Sequence, residues 1–163
     1  MNSNTHTISL FVTNKPGVLL RVSLVFARRG FNIESLVVSS ALDGRYSRMT
    51  ITAKGEDRDL DQIIKQVSKL IDVVHVTDHI SDQSIERELA LIKVKTGDNL
   101  TEILQVLNHF KAETVDLTHN SVSIQATGDT DKIDAMLKML GSFEIIEMVR
   151  SGKMLMVRGD AVT

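Results

Sequence analysis

Ile8, Leu10 and Val12 recur at every second position between Ser9, Phe11 and Thr13, the two-residue period of a strand with one buried face. Asn14-Lys15-Pro16-Gly17 interrupts it, and the period then lengthens. Val18, Leu19, Val22, Val25 and Phe26 fall on one helical stripe that stops at Gly30. The β-rich runs 33–40 and 46–54 flank Asp43-Gly44, a hairpin signal because both residues tolerate positive φ. Leu60, Ile63, Ile64, Val67, Leu70 and Ile71 mark a second amphipathic helix, and 73–79 a closing strand.

The order βαββαβ predicts a ferredoxin-like sandwich, with helices on one face of an antiparallel sheet. It recurs. With Gly55 set against Gly128, Leu60, Ile63, Ile64, Val67 and Leu70 meet Ile133, Met136, Leu137, Leu140 and Phe143. A strand at 88–95, a capping box at Asn99-Leu100-Thr101-Glu102 opening a helix through Phe110, and strands at 113–118 and 121–127 around His119-Asn120 complete the second copy. The fold class expected is therefore α+β, two such sandwiches in tandem. The polar run Ser81-Asp82-Gln83-Ser84 divides them into domains 1–81 and 82–163.

Composition excludes more than it selects. With 42% hydrophobic and 25% charged residues, a real core is expected; a net charge of −2, one Tyr and no Trp give little reason to expect a nucleic-acid binder. The absence of Cys removes disulfides, thiolate metal sites and a Cys nucleophile. No signal peptide or run long enough to cross a bilayer is visible, so a cytoplasmic location is expected.

No Gly-x-Ser-x-Gly elbow, phosphate loop or GxGxxG is present. His75 and His79 share one strand face but stand roughly 13 Å apart at about 3.3 Å per residue, too far for one ion. No catalytic and no metal residues are assigned. Asp57 and Asp59, and Asp129 and Asp131, sit where helix starts favour acids. Arg28, Arg29, Arg45 and Arg48 could bind anions, although solvated element ends explain them as well.

Two features invite a ligand or a partner. At Asn14 to Gly17, Pro16 fixes φ, Gly17 lets backbone approach, and the following helix presents unpaired N–H groups, which suits a small carboxylate; an ordinary turn with Asn14 as local cap is the competing reading. Leu20, Leu24 and Ala27 form a second apolar set on the first helix, away from its main stripe, which points to dimerisation or lobe packing, with scattered surface leucines as the alternative.

The run Arg29-Gly30-Phe31-Asn32-Ile33-Glu34-Ser35-Leu36, followed by Ser47-Arg48-Met49-Thr50-Ile51, Glu86-Arg87-Glu88-Leu89 and Arg150-Ser151-Gly152, resembles the small regulatory subunit of acetohydroxyacid (acetolactate) synthase over nearly the whole chain, from about Thr7 to Asp160. That resemblance implies an N-terminal ACT domain, homodimerisation through it, and valine bound between two such domains in feedback control of branched-chain amino-acid synthesis. By motif it implicates Asn14, Gly17, Val18 and Leu19 of one chain with Asn32 and Ile33 of the other. It implies no cofactor on this chain; thiamine diphosphate, magnesium and FAD belong to the catalytic large subunit, which this chain would stimulate. An amino-acid-sensing ACT protein serving another enzyme or a transcriptional system is the alternative.

Overall fold

The computed structural model describes residues 4–79 and 84–163. The chain divides into two compact units, residues 1–85 with 153–163, and residues 86–152.

The first unit runs β1 (Asn4–Thr13), α1 (Val18–Arg28), β2 (Ile33–Ser40), β3 (Tyr46–Gly55), α2 (Asp57–Val67) and β4 (Val73–His79). Its antiparallel sheet has the order β2-β3-β1-β4, so β2 and β4 are edge strands. The period-2 pattern is realised as read: Ile8, Leu10 and Val12 of β1 and Met49, Ile51 and Ala53 of β3 are buried with Val18, Val22 and Phe26 of α1 and Leu60, Ile63 and Val67 of α2. Burial of side chains such as these contributes about 1.5–3 kcal/mol each, the main force holding helices to sheet.

The second unit repeats the plan through β5 (Ser84–Lys95), α3 (Leu100–Phe110), β6 (Glu113–Leu117), β7 (Ser121–Gly128), α4 (Thr130–Leu140) and β8 (Ile145–Arg150), in the order β6-β7-β5-β8. A further strand, β9 (Met154–Val157), pairs with β5. Ile133, Met136 and Leu140, matched to the first copy by sequence, are all fully buried.

The repeat extends to irregularities. In each sheet the closing edge strand slips register, between Phe11 and Val12 against β4 and between Lys93 and Val94 against β8. The slip skips Val74 and Ile146, which explains why these two aliphatic residues are exposed: a bulge leaves its extra residue unpaired and reverses the facing.

Two local expectations change. Helix α2 ends at Val67, leaving Ile71 fully exposed rather than on the helical stripe. The capping box at Asn99 is not formed: a 3₁₀ turn, Gly97–Asn99, leads into α3, and Asn99 (φ −96°, ψ 12°) lacks the extended backbone from which a cap side chain reaches back. Asp129, by contrast, does cap α4, accepting from the Lys132 N–H at 2.9 Å. Residues 153–163 group with the first unit, and the boundary expected at 81/82 lies outside the described residues.

Candidate functional site

The corner between β1 and α1 is formed by backbone. Gly17 caps α1 with φ +82°, a left-handed conformation that a glycine adopts without steric cost, and no side chain hydrogen-bonds the helix end. The Val18 N–H makes only a long bond, 3.4 Å, to the Lys15 carbonyl. The N–H groups of Gly17, Leu19 and Leu20 meet no acceptor among the described residues. Three bare donors at a helix N-terminus, with its partial positive charge, are an arrangement that favours an anion.

Asn14 does not act as the cap. Its side chain donates to the Gly44 carbonyl at 2.9 Å and its N–H to the Arg45 carbonyl at 2.8 Å, tying the corner to the β2–β3 hairpin. The corner is thus left open rather than closed by its own side chain.

Arg21 and Asp72 belong to this corner and were not singled out in the sequence. Arg21 Nε and Nη2 donate to Asp72 Oδ2 at 2.8 and 2.6 Å, while Thr13 Oγ1 donates to Asp72 Oδ1 at 3.1 Å. A Cβ built on Gly17 would lie 3.1 Å from Arg21 Nη1, so a guanidinium stands beside the bare amides. One signal was available: an arginine in the first turn opposes the helix dipole and therefore calls for an acidic partner or a bound anion.

The hydrogen bond from Arg21, helped by that from Thr13, holds the Asp72 carboxyl below the usual carboxylate range against the opposing effect of burial. Because the folded pKa is lowered, the native state binds fewer protons, and the stabilisation is complete above about pH 4 and lost as pH falls through the folded value. The expected result for Asp72→Asn is a destabilisation at pH 7 that shrinks as pH falls below 4. Urea midpoints at several pH values check this, and a pH-independent difference would contradict it.

The remaining candidates fall in two places. Val18 is 2% exposed in the core of its own unit, so only its backbone faces the corner, whereas Leu19 is 41% exposed. Asn32 is exposed, its amide donating to Glu34 Oε1 at 3.2 Å. Ile33 pairs with Ala53, which pairs with His6 at the far end of β1. From His6 to Thr13 the strand spans roughly 23 Å at about 3.3 Å per residue, so one chain cannot bring Asn32 to the Gly17 corner. Leu20, Leu24 and Ala27 all lie on the outer surface of α1, with Leu20 63% exposed.

Among the described residues no group of three His, Asp or Glu side chains converges as metal ligands would, and no helix is long and apolar enough to cross a membrane. Tandem ferredoxin-like units, the first with a bare helix end after its opening strand, define a protein of the ACT type. The comparisons make that specific. Residues 8–75 match the "AHAS small subunit-like ACT domain" and residues 87–159 the "Small subunit of acetolactate synthase" model. A chain from Archaeoglobus fulgidus described as a probable acetolactate synthase small subunit is 46% identical, covering 95% of this chain and 98% of its own. The acetolactate synthase small subunit of Mycobacterium bovis is 42% identical over 98% of this chain and 95% of its own. The crystal structure of the Thermotoga maritima small subunit superposes with a TM-score of 0.86 at 37% identity, covering 97% of this chain and 99% of that one. This chain belongs to the family of acetolactate synthase small subunits: non-catalytic, regulatory, and implying a catalytic large subunit as partner.

Proposed function

We propose that this chain binds valine between the ACT domains of a homodimer in the cytoplasm, stimulates its large subunit when valine is absent, and inhibits it by feedback when valine binds. The observation that carries this reading is the open corner: bare N–H groups at Gly17, Leu19 and Leu20 beside the Arg21 guanidinium suit a carboxylate. In this reading Asn14 and Leu19 flank the ligand, Val18 contributes backbone only, and Asn32 and Ile33 of a second copy complete the site from their own end of the domain. Thiamine diphosphate, magnesium and FAD stay with the large subunit.

Two features support the dimer. The stripe Leu20, Leu24 and Ala27 leaves apolar surface on a helix whose opposite face already forms the core, and β2 is an unpaired sheet edge. Leu20→Glu with Leu24→Glu should shift the protein to monomer in sedimentation velocity and weaken valine binding with it; an unchanged dimer would place the interface elsewhere.

Valine must prefer the less stimulating arrangement, a coupling of about 1–3 kcal/mol. The decisive experiment reconstitutes the chain with an acetolactate synthase large subunit and measures activity with and without valine. Stimulation that valine reverses is expected, and a complex indifferent to valine would reject the proposal. Failure to stimulate any such large subunit would favour the alternative of an amino-acid sensor serving another enzyme or a transcriptional system.

A further inference from the structure

The hairpin that Asn14 grips has a second tenant. On the open face of the same sheet, Phe11 and Arg48 are direct cross-strand partners, and the Arg48 guanidinium lies over the Phe11 ring at 5.6 Å. Phe11 stacks on Tyr46 at 4.9 Å, and Arg45 covers the Tyr46 ring at 5.8 Å. Residues 158–163 come to this row. After β9 the chain turns at Gly159 (φ +76°), and Thr163 Oγ1 accepts from the Val157 N–H at 2.8 Å. Arg48 Nη1 then donates to the main-chain oxygen of Thr163. A cleft of about 910 Å³ remains between this segment and the hairpin, lined by Phe11, Leu42, Asp43, Arg48, Leu155 and Val162 among others.

We infer that residues 161–163 are a releasable latch on the β2–β3 hairpin, and that a ligand at the Asn14–Gly17 corner loosens it. The inference rests on the valine reading for its ligand. The segment is held lightly: Val162 is 88% exposed, and Arg48 is the one hairpin side chain that hydrogen-bonds it among the described residues. Release leaves the fold intact, because Leu155 of β9, 7% exposed, provides the buried anchor upstream. The hairpin moves as a piece, since Asp43 Oδ1 accepts from the Arg45 N–H at 3.1 Å and Asp43 Oδ2 from Arg45 Nε at 2.9 Å. Asn14 grips that piece at Gly44 and Arg45, while the latch binds it at Arg48, with Asp43 lining the cleft between them. A ligand that draws the Asn14 amide towards itself withdraws the Gly44 bond, shifts the hairpin, and weakens the grip on Thr163. Linkage makes the effect reciprocal: if ligand opens the latch, an opened latch favours ligand by the same factor.

The test compares full-length protein, Arg48→Met, and a chain ending at Asp160. Without valine, the Val157 amide should exchange with solvent at least about tenfold faster in both variants, because its acceptor is released or removed. Equal exchange in all three proteins would show that no latch exists. With valine, the same amide in the full-length protein should lose protection, and both variants should bind valine roughly fivefold more tightly. Equal valine affinity in the three proteins, with faster exchange in the variants, would keep the latch and overturn the coupling. If the full-length protein binds no valine at all, the proposed function fails on its own, while the exchange comparison still decides whether the latch is real.

Discussion

Gly17→Asp should abolish valine binding, weakening it at least 100-fold, or roughly 2.8 kcal/mol. Three effects combine. The carboxylate carries negative charge to the place where the ligand's own would sit, and its bulk covers the N–H groups that Gly17 leaves bare. Its Cβ, 3.1 Å from Arg21 Nη1, brings the new acid against that guanidinium. The backbone at φ +82° disfavours any side chain, although Asp tolerates this region better than most, so the fold survives. The variant chain should still stimulate the large subunit, and the reconstituted complex should be insensitive to valine. Calorimetric titration is the direct measurement, and equal binding by both proteins would refute the site. Gly17→Ala separates the causes, since it adds backbone strain without charge and should cost much less affinity.

Arg150→Met should destabilise the second unit by about 3 kcal/mol, the largest stability effect expected from one substitution of a polar residue here. Glu88 is 4% exposed, and its carboxylate accepts from Arg150 Nε at 3.0 Å, from Arg150 Nη2 at 2.5 Å and from Thr130 Oγ1 at 2.6 Å. Arg150 Nη1 also donates to Asp134 at 2.6 Å, joining β5, β8 and α4. Burial disfavours the charge on Arg150, but the hydrogen bonds to Glu88 and Asp134 outweigh it and hold the proton more firmly than usual. Removing the arginine leaves an uncompensated buried carboxylate. Glu88→Leu with Arg150→Met removes both charges and should recover most of the loss, because the penalty belongs to the orphaned acid and not to the missing pair. Denaturant midpoints of the two variants measure this. A single variant as stable as the parent would show that Glu88 is not confined as described.

The separation between corner and latch also bears on regulation. The proposed ligand corner lies at one end of β1, whereas Phe11, Arg48 and Thr163 lie on the sheet face away from the helices. Changes at Arg48 should therefore alter sensitivity to valine, and changes at Gly17 should remove it.

Periodicity along the chain determined both sandwiches. Which faces are buried follows from side-chain spacing, so Ile8, Leu10 and Val12, or Ile133, Met136 and Leu140, were legible without coordinates. The corner was legible too, because Pro16-Gly17 before an apolar helical stripe is a local signal and left-handed glycine is a local conformation. The box at Asn99 and the last turn of α2 were misread, and the competing reading of Asn14 as a cap is not realised, since local side-chain chemistry offers a bond that only the backbone's path can accept or refuse. Tertiary structure alone decided the partners distant in sequence: Arg21 with Asp72, Glu88 with Arg150, and Arg48 with Thr163. A charge has no period, so its position along the chain does not name the residue it will meet. Strand register sets those meetings, and register is fixed by how two apolar faces pack and where the bulges fall.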